Sequence, residues 1–248
     1  MVYIECSIFM ISENILKIRQ RIAAACERAG RATSDVTLLA VSKTFSHEHI
    51  RDAVRAGVTD IGENYVQELL KKRGQLPDEP IRWHFVGHLQ TNKVRSIVDW
   101  IHLIHAVDSL KLAQELDRRA AERERIVDVL IEVNTTGEAS KFGVQPGRTL
   151  EMIRSFERLD AVRVAGLMTI GPFLPDPEQS RPMFRRLRQL KDRAAALGQR
   201  NVTMHQLSMG MTGDFEVAIE EGATIVRIGT AIFGARTKAR QADTDPHS

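Results

Sequence analysis

Two cysteines, two tryptophans and two tyrosines in 248 residues are few, and each scarcity removes a class of function. Cys6 and Cys26 have no metal-ligand spacing and no disulfide framework around them, so neither a disulfide scaffold nor a thiolate metal site is expected. Cys26 falls on the apolar face of a predicted helix and reads as a small buried hydrophobe. Aromatic residues are 5% of the chain, which leaves little to stack on bases. An excess of one charge is also missing. The 35 basic and 32 acidic residues give a net +3, too balanced to imply a polyanion partner even with a pI near 9.0. The basic runs Lys71–Arg73, Arg118–Arg125 and Arg185–Arg193 are interleaved with acids or apolar positions and read as solvated helix faces, so no nucleic acid is expected. No apolar run approaches the roughly 18 residues that cross a membrane. The opening MVYIECSIFMI lacks a basic leader and a small-residue cleavage site, so the cytoplasm is expected and residues 1–11 read as an extension ahead of the domain.

What is present is a regular alternation. Short β-rich runs occur at 36–43, 60–64, 82–88, 100–108, 127–134, 162–170, 203–210 and 224–230. Several are nearly continuous Val, Ile and Leu, as strands covered on both faces must be. Amphipathic stretches lie between them, one carrying Leu112, Leu116 and Ala120, another Met183, Leu187, Leu190, Ala194 and Leu197. A further helix is expected from a Ser12 cap through Ile15, Ile18, Ile22 and Cys26 to Gly30. Eight β runs, each followed by a helix or helical turn, predict an α/β (β/α)8 barrel with an extra N-terminal helix. No linker divides it. Residues 12–236 are read as one domain, followed by a polar tail at 237–248 that is expected to fray.

In such a barrel, function gathers at the C-terminal ends of the strands. The first run ends in Lys43, and an ammonium there is costly unless it is paired, deprotonated or covalently used. It either leans out to a carboxylate or serves chemistry. The second run ends Gly62-Glu63-Asn64. His84, His102 and His105 read most simply as hydrogen-bonded core residues. The His102/His105 alternation has no suitably spaced carboxylate or cysteine beside it, so no metal is expected. The last two strands say more. Gly229 lets backbone amides approach a phosphate, Thr230 adds a hydroxyl at a short helix start, and Ser208 offers another from the neighbouring strand. A lysine able to form a Schiff base beside a single-phosphate cradle suggests pyridoxal 5′-phosphate (PLP). Arg227, two residues before Gly229, points to the same face and is placed to meet the pyridine nitrogen. An arginine cannot give that nitrogen a full proton, because its own pKa exceeds about 12.

The segments LLAVSKT, GENYVQEL, WHFVGHLQTNK, KFGV, GLMTI and LSMGMTGDFEVAIEEGATIVRIGTAIFGAR together resemble the pyridoxal phosphate homeostasis protein family, from about residue 12 to residue 236. The resemblance implies a single barrel like the N-terminal domain of alanine racemase, the fold-type III barrel of PLP proteins. It implies Lys43 as the Schiff-base lysine, Arg227 at the pyridine nitrogen, and Ser208, Gly229 and Thr230 on the phosphate. Asn64, His84 and Met168 would line the pocket. Thr212 stands where serine is commoner, which keeps a hydroxyl. The implied function is PLP carriage or buffering in vitamin B6 homeostasis, without substantial turnover. Other B6 vitamers and PLP-dependent apo-enzymes are the implied partners, and a monomer is expected. The competing reading is an amino-acid racemase of the alanine racemase class. A two-base racemase needs a second proton donor, which in that class is a tyrosine from a further domain. The 14 residues after Gly234 are expected to hold no such domain, and the only tyrosines are Tyr3 and Tyr65, which favours the carrier.

Overall fold

Each apolar run folds as a strand, seven of them within the limits of their pattern and the run at 203–210 starting one residue earlier. They are β1 (Thr37–Val41), β2 (Asp60–Glu63), β3 (Arg82–Phe85), β4 (Leu103–Val107), β5 (Val127–Glu132), β6 (Val162–Met168), β7 (Val202–Ser208) and β8 (Ile225–Ile228). In the computed structural model, which describes residues 2–137 and 142–234, they pair in parallel and in chain order as a closed barrel. Closure is made by β1 on β8, with Thr37 opposite Ile225 and Leu39 opposite Arg227. Lys141 of the KFGV segment and the polar tail lie outside the described residues.

The helices are α1 (Val2–Arg28), α2 (His47–Arg55), α3 (Val66–Gln75), α4 (Leu110–Ala121), α5 (Thr149–Ser155), α6 (Arg181–Ala195), α7 (Phe215–Glu220) and α8 (Thr230–Phe233). After β3 the crossover is only a 3-10 stretch, Thr91–Ser96. The first helix corrects the expected start at Ser12. It runs unbroken from Val2, because no glycine or proline interrupts residues 2–11, and Ile11 joins Ile15, Ile18, Ile22 and Cys26 on one buried stripe. Its end is as expected. Gly30 takes φ +63°, its amide donates to Glu27 O (3.1 Å) and that of Arg31 to Cys26 O (2.9 Å), a Schellman closure.

The apolar core divides in two. The larger part joins the outer faces of the strands to helix residues such as Ile18, Leu69, Leu112 and Leu187. The smaller consists of Leu39, Val86, Leu103, Ala106, Leu130, Ala165, Met168 and Ile225, all from strands or their ends, and fills part of the barrel interior. The rest of the interior is polar, and it matters for the site. Where β6 meets β7, the register shifts beside Gly166, and a Cβ there would lie 1.9 Å from Gln206 O. Gly166→Ala is therefore expected to lower the unfolding free energy by about 3 kcal/mol, because backbone rather than a side-chain tip must move. Urea denaturation reads this directly, and a midpoint equal to wild type would contradict the close approach.

Candidate functional site

Lys43 stands two residues beyond β1, in a turn that the fold pins from below. Thr44 takes φ +71°, uncommon for a β-branched residue, and its amide donates to Glu68 Oε2 (3.0 Å). Lys72, read from the sequence as part of a solvated face, is instead buried. Its ammonium donates to Ser42 O (2.8 Å), Glu63 Oε1 (2.6 Å) and Glu68 Oε2 (3.0 Å). Ser42 Oγ donates to the same Glu63 oxygen at 2.5 Å. Burial raises the Glu63 carboxyl above its ordinary pKa, and the Lys72 ammonium and the Ser42 hydroxyl oppose that shift. A one-turn spacing from Glu68 to Lys72 is visible in the sequence; the carboxylate of a neighbouring strand that draws the ammonium inward is not.

Above this turn opens a cavity of about 240 Å³. Lys43, Asn64, Arg227, Gly229 and Thr230, five of the residues expected at the site, line it. Phe45, Met211, Thr212 and Phe173 join them, and of these only Thr212 had been marked by its hydroxyl. Asn64 is held by a close approach: a Cβ on Gly87 would sit 2.2 Å from Asn64 O. The Asn64 Oδ1 atom is buried and has no hydrogen-bond partner among the described residues. At the far wall Gly229 precedes the single turn of α8, and a Cβ there would come within 3.0 Å of Val41 O. The amides of Ile232 and Phe233 donate to Gly229 O (2.9 and 3.0 Å), so those of Thr230 and Ala231 precede the first bond of the helix.

Arg227 is 6% exposed, and its hydrogen bonds go to neutral acceptors, Ser208 Oγ (2.7 Å) and Thr169 O (2.8 Å). Burial lowers its pKa to about 10, with Asp214 and Glu132 acting in the opposite sense, so it remains a cation at neutral pH. Glu132, at the end of β5, had no place in the sequence reading. Burial, helped by Asp108 and opposed by Arg227, raises its pKa to about 7. Between pH 4.5 and 7 the native state therefore holds a proton that the unfolded chain releases. The stability this contributes is full below about pH 4.5 and is lost as pH rises through 7. Glu132→Gln is expected to be more stable than wild type at pH 8, by up to about 3 kcal/mol, with the gap closing towards pH 4.5. Urea midpoints of both proteins across that range measure it; a constant difference would remove Glu132 as the cause.

Three expected site residues sit elsewhere. Ser208 is fully buried below the cavity, with its Oγ between Arg227 and His105 Nδ1 (2.9 Å). His84 is buried in the barrel, its ring spent on Asp60 (3.0 Å) and His105 (3.0 Å). Met168 belongs to the inner apolar cluster and is not on the cavity wall. The fold also supplies the carboxylate that sequence spacing could not show: Asp60 of β2 comes beside His84 and His102. That carboxylate is already held by Arg82, through Nε (2.8 Å) and Nη2 (2.6 Å), a cation that opposes a metal ion at the same oxygens.

A closed parallel barrel with its functional groups after β1 and β8 is the architecture of the alanine racemase N-terminal domain, and the family of that description matches residues 14–237. An alanine racemase of Clostridium difficile shares the fold at a TM-score of 0.71 and 14% identity, with 93% of this chain and 58% of that one covered. Curated relatives are far closer. The pyridoxal phosphate homeostasis protein of Aquifex aeolicus is 49% identical over 90% of this chain and 97% of its own length, and that of Pseudomonas aeruginosa 44% over 91% and 96%. PipY of Synechococcus elongatus, solved with PLP bound, superimposes at a TM-score of 0.79 with 32% identity, covering 90% of this chain and all of that one. The chain belongs to the pyridoxal phosphate homeostasis protein family.

Proposed function

We propose that the cavity holds PLP, and that the protein binds this cofactor in vitamin B6 homeostasis without substantial catalytic turnover. The observation that carries the reading is Arg227: a buried cation whose hydrogen bonds among the described residues go to neutral acceptors, lining a cavity that Lys43 lines too. The residues present fit the group. The guanidinium offers N–H donors to a ring nitrogen, and the unpartnered Asn64 Oδ1 offers an acceptor to a ring substituent. Gly229 leaves room for a phosphate at the backbone, with the hydroxyls of Thr230 and Thr212 on the same wall. The Ser208 hydroxyl is engaged beneath the cavity, so the phosphate role expected of it passes to these threonines.

When bound, PLP supplies an electrophilic carbonyl for a lysine amine and a ring whose pull on electrons depends on protonation of its nitrogen. Arg227 would hold that nitrogen by donating to it while keeping its own proton, which would leave the ring a weak electron sink. Among the described residues no tyrosine lines the cavity; Tyr65 is 59% exposed outside it. A second proton-transfer group, worth typically 10²–10⁴-fold in rate, is thus missing from the described walls. The curated relatives are named for homeostasis of PLP and not for a catalysed reaction.

The reading places the protein in the cytoplasm as a monomer that exchanges PLP with other B6 vitamers and passes it to PLP-dependent apo-enzymes. No helix among the described residues is long and apolar enough to cross a membrane. The experiment is a visible titration with PLP, followed by incubation of the loaded protein with alanine and serine in deuterated water. A saturable absorbance change without Cα deuterium incorporation is expected. Rapid exchange with inversion would favour the racemase.

A further inference from the structure

Across the barrel interior runs a chain of side chains that the binding of a ligand at the mouth does not by itself explain. Arg227 of β8 bonds Ser208 of β7, which bonds His105 of β4, then His84 of β3, then Asp60 of β2. Each heavy-atom separation lies between 2.7 and 3.0 Å. The links are shut away from water, with Ser208 and His105 at 0%, His84 at 2% and Asp60 at 4% exposure. Strands β7 and β4 are not neighbours, so the Ser208–His105 bond spans the interior.

The directions of these bonds follow from elementary chemistry. Burial would raise the Asp60 carboxyl, but hydrogen bonds from three residues, His84, Arg82 and Thr59, outweigh it and keep the carboxyl well below the usual range, so it only accepts. His84 Nε2 must then carry a proton. Burial lowers the His84 pKa, with Asp60 opposing, so the ring is neutral and its Nδ1 accepts. His105 Nε2 therefore donates to it. His105 in turn is held neutral by burial above all, and by the positive charge of Arg227, with Asp60 acting the other way. Its Nδ1 is an acceptor, which takes the Ser208 hydroxyl proton and turns that oxygen's lone pairs to Arg227. Every donor has one acceptor, and reversing any link leaves two protons or two lone pairs facing each other.

We propose that this one-way chain positions Arg227 for the ring nitrogen of the cofactor, with His105 as its central positioning residue. The proposal rests on the reading of the cavity as a PLP site. Five N–H donors on a buried guanidinium can swing between alternatives. Ser208 and Thr169 fix two of them, and Ser208 is itself fixed only because His105 takes its proton. An apolar interior would fill the same space without the desolvation cost of four polar groups, which argues that the chain is kept for what stands at its upper end.

Two measurements test it, and only the second needs the cofactor. In PLP-free protein with 15N-labelled histidine, His84 and His105 are expected as the neutral Nε2–H tautomers at pH 7; the Nδ1–H tautomer or a cationic ring at either position overturns the chain. In PLP titrations, His105→Leu is expected to weaken binding about tenfold, through a Ser208 hydroxyl left without its acceptor. His105→Asn, which keeps an acceptor near the position of Nδ1, should recover most of the loss, as filling the space alone would not. Adding Ser208→Ala to His105→Leu should cost no more than the larger single effect. Wild-type affinity in a folded His105→Leu protein, or additive losses, would overturn the positioning role. Failure of the wild-type protein to bind PLP at all would instead overturn the functional reading, and with it the purpose assigned to the chain but not the tautomers.

Discussion

Lys43→Ala is expected to abolish the borohydride-reducible PLP adduct completely while leaving the barrel folded. The loss should be total because the covalent link needs an amine, and Lys43 is the lysine among the described residues that line the cavity. The fold should survive because the turn beneath is fastened by Ser42, Thr44, Glu63 and Lys72. Reduction with borohydride and peptide mapping of wild type give the reference, and urea unfolding of the variant checks its integrity. An adduct mapped to another lysine, such as Lys93, would place the site elsewhere.

The second large effect is expected at Gly229→Val, which should weaken PLP binding on the order of a hundredfold. Even the first carbon of a side chain there meets Val41 O at 3.0 Å, so the β8–α8 turn has to move away from β1. That movement would displace the backbone proposed to cradle the phosphate. Ser208→Ala removes two buried hydrogen bonds, to Arg227 and to His105, acts through Arg227 and should cost about tenfold. Titration of both variants decides the order. Equal affinities would detach the phosphate from the end of β8.

The barrel was legible in the sequence because it is written locally: eight runs of β-formers, each within a few residues of an observed strand, separated by helical periodicity. The site was legible where a residue at a strand end had only one place to go, as for Lys43, Asn64, Arg227, Gly229 and Thr230. Ser208, His84 and Met168 show the limit. Alternation along a strand says that a side chain points inward, but not whether it reaches the mouth or stops within the barrel. That depends on strand tilt and on partners far away in sequence, as when Asp60 meets His84 or His105 meets Ser208. Lys72 misled for the same reason, since its burial answers Glu63 on β2 and not its own helix neighbours alone. Glu132 was missed because a single acid ending an apolar strand carries no spacing signal. At Ser12 a good capping residue was overruled by ten preceding residues that also favour helix.

Lys43 follows the first strand of the barrel and Arg227 lies on the eighth. β1 and β8 pair along the line where the chain's beginning is joined to its end, and α1 is tied over that line, with Asn14 Nδ2 donating to Ile232 O (3.0 Å) and Arg31 to Ile219 O and Ala223 O (both 2.8 Å). All of the chain from Lys43 to Thr230 must therefore be made before the residues that line the pocket can come together. A growing chain that displays Lys43 has no Arg227, no Gly229 and no wall opposite. Capture of the cofactor is thus reserved for chains that have completed their circle, and a molecule held between Lys43 and α8 becomes a rivet through the closing joint.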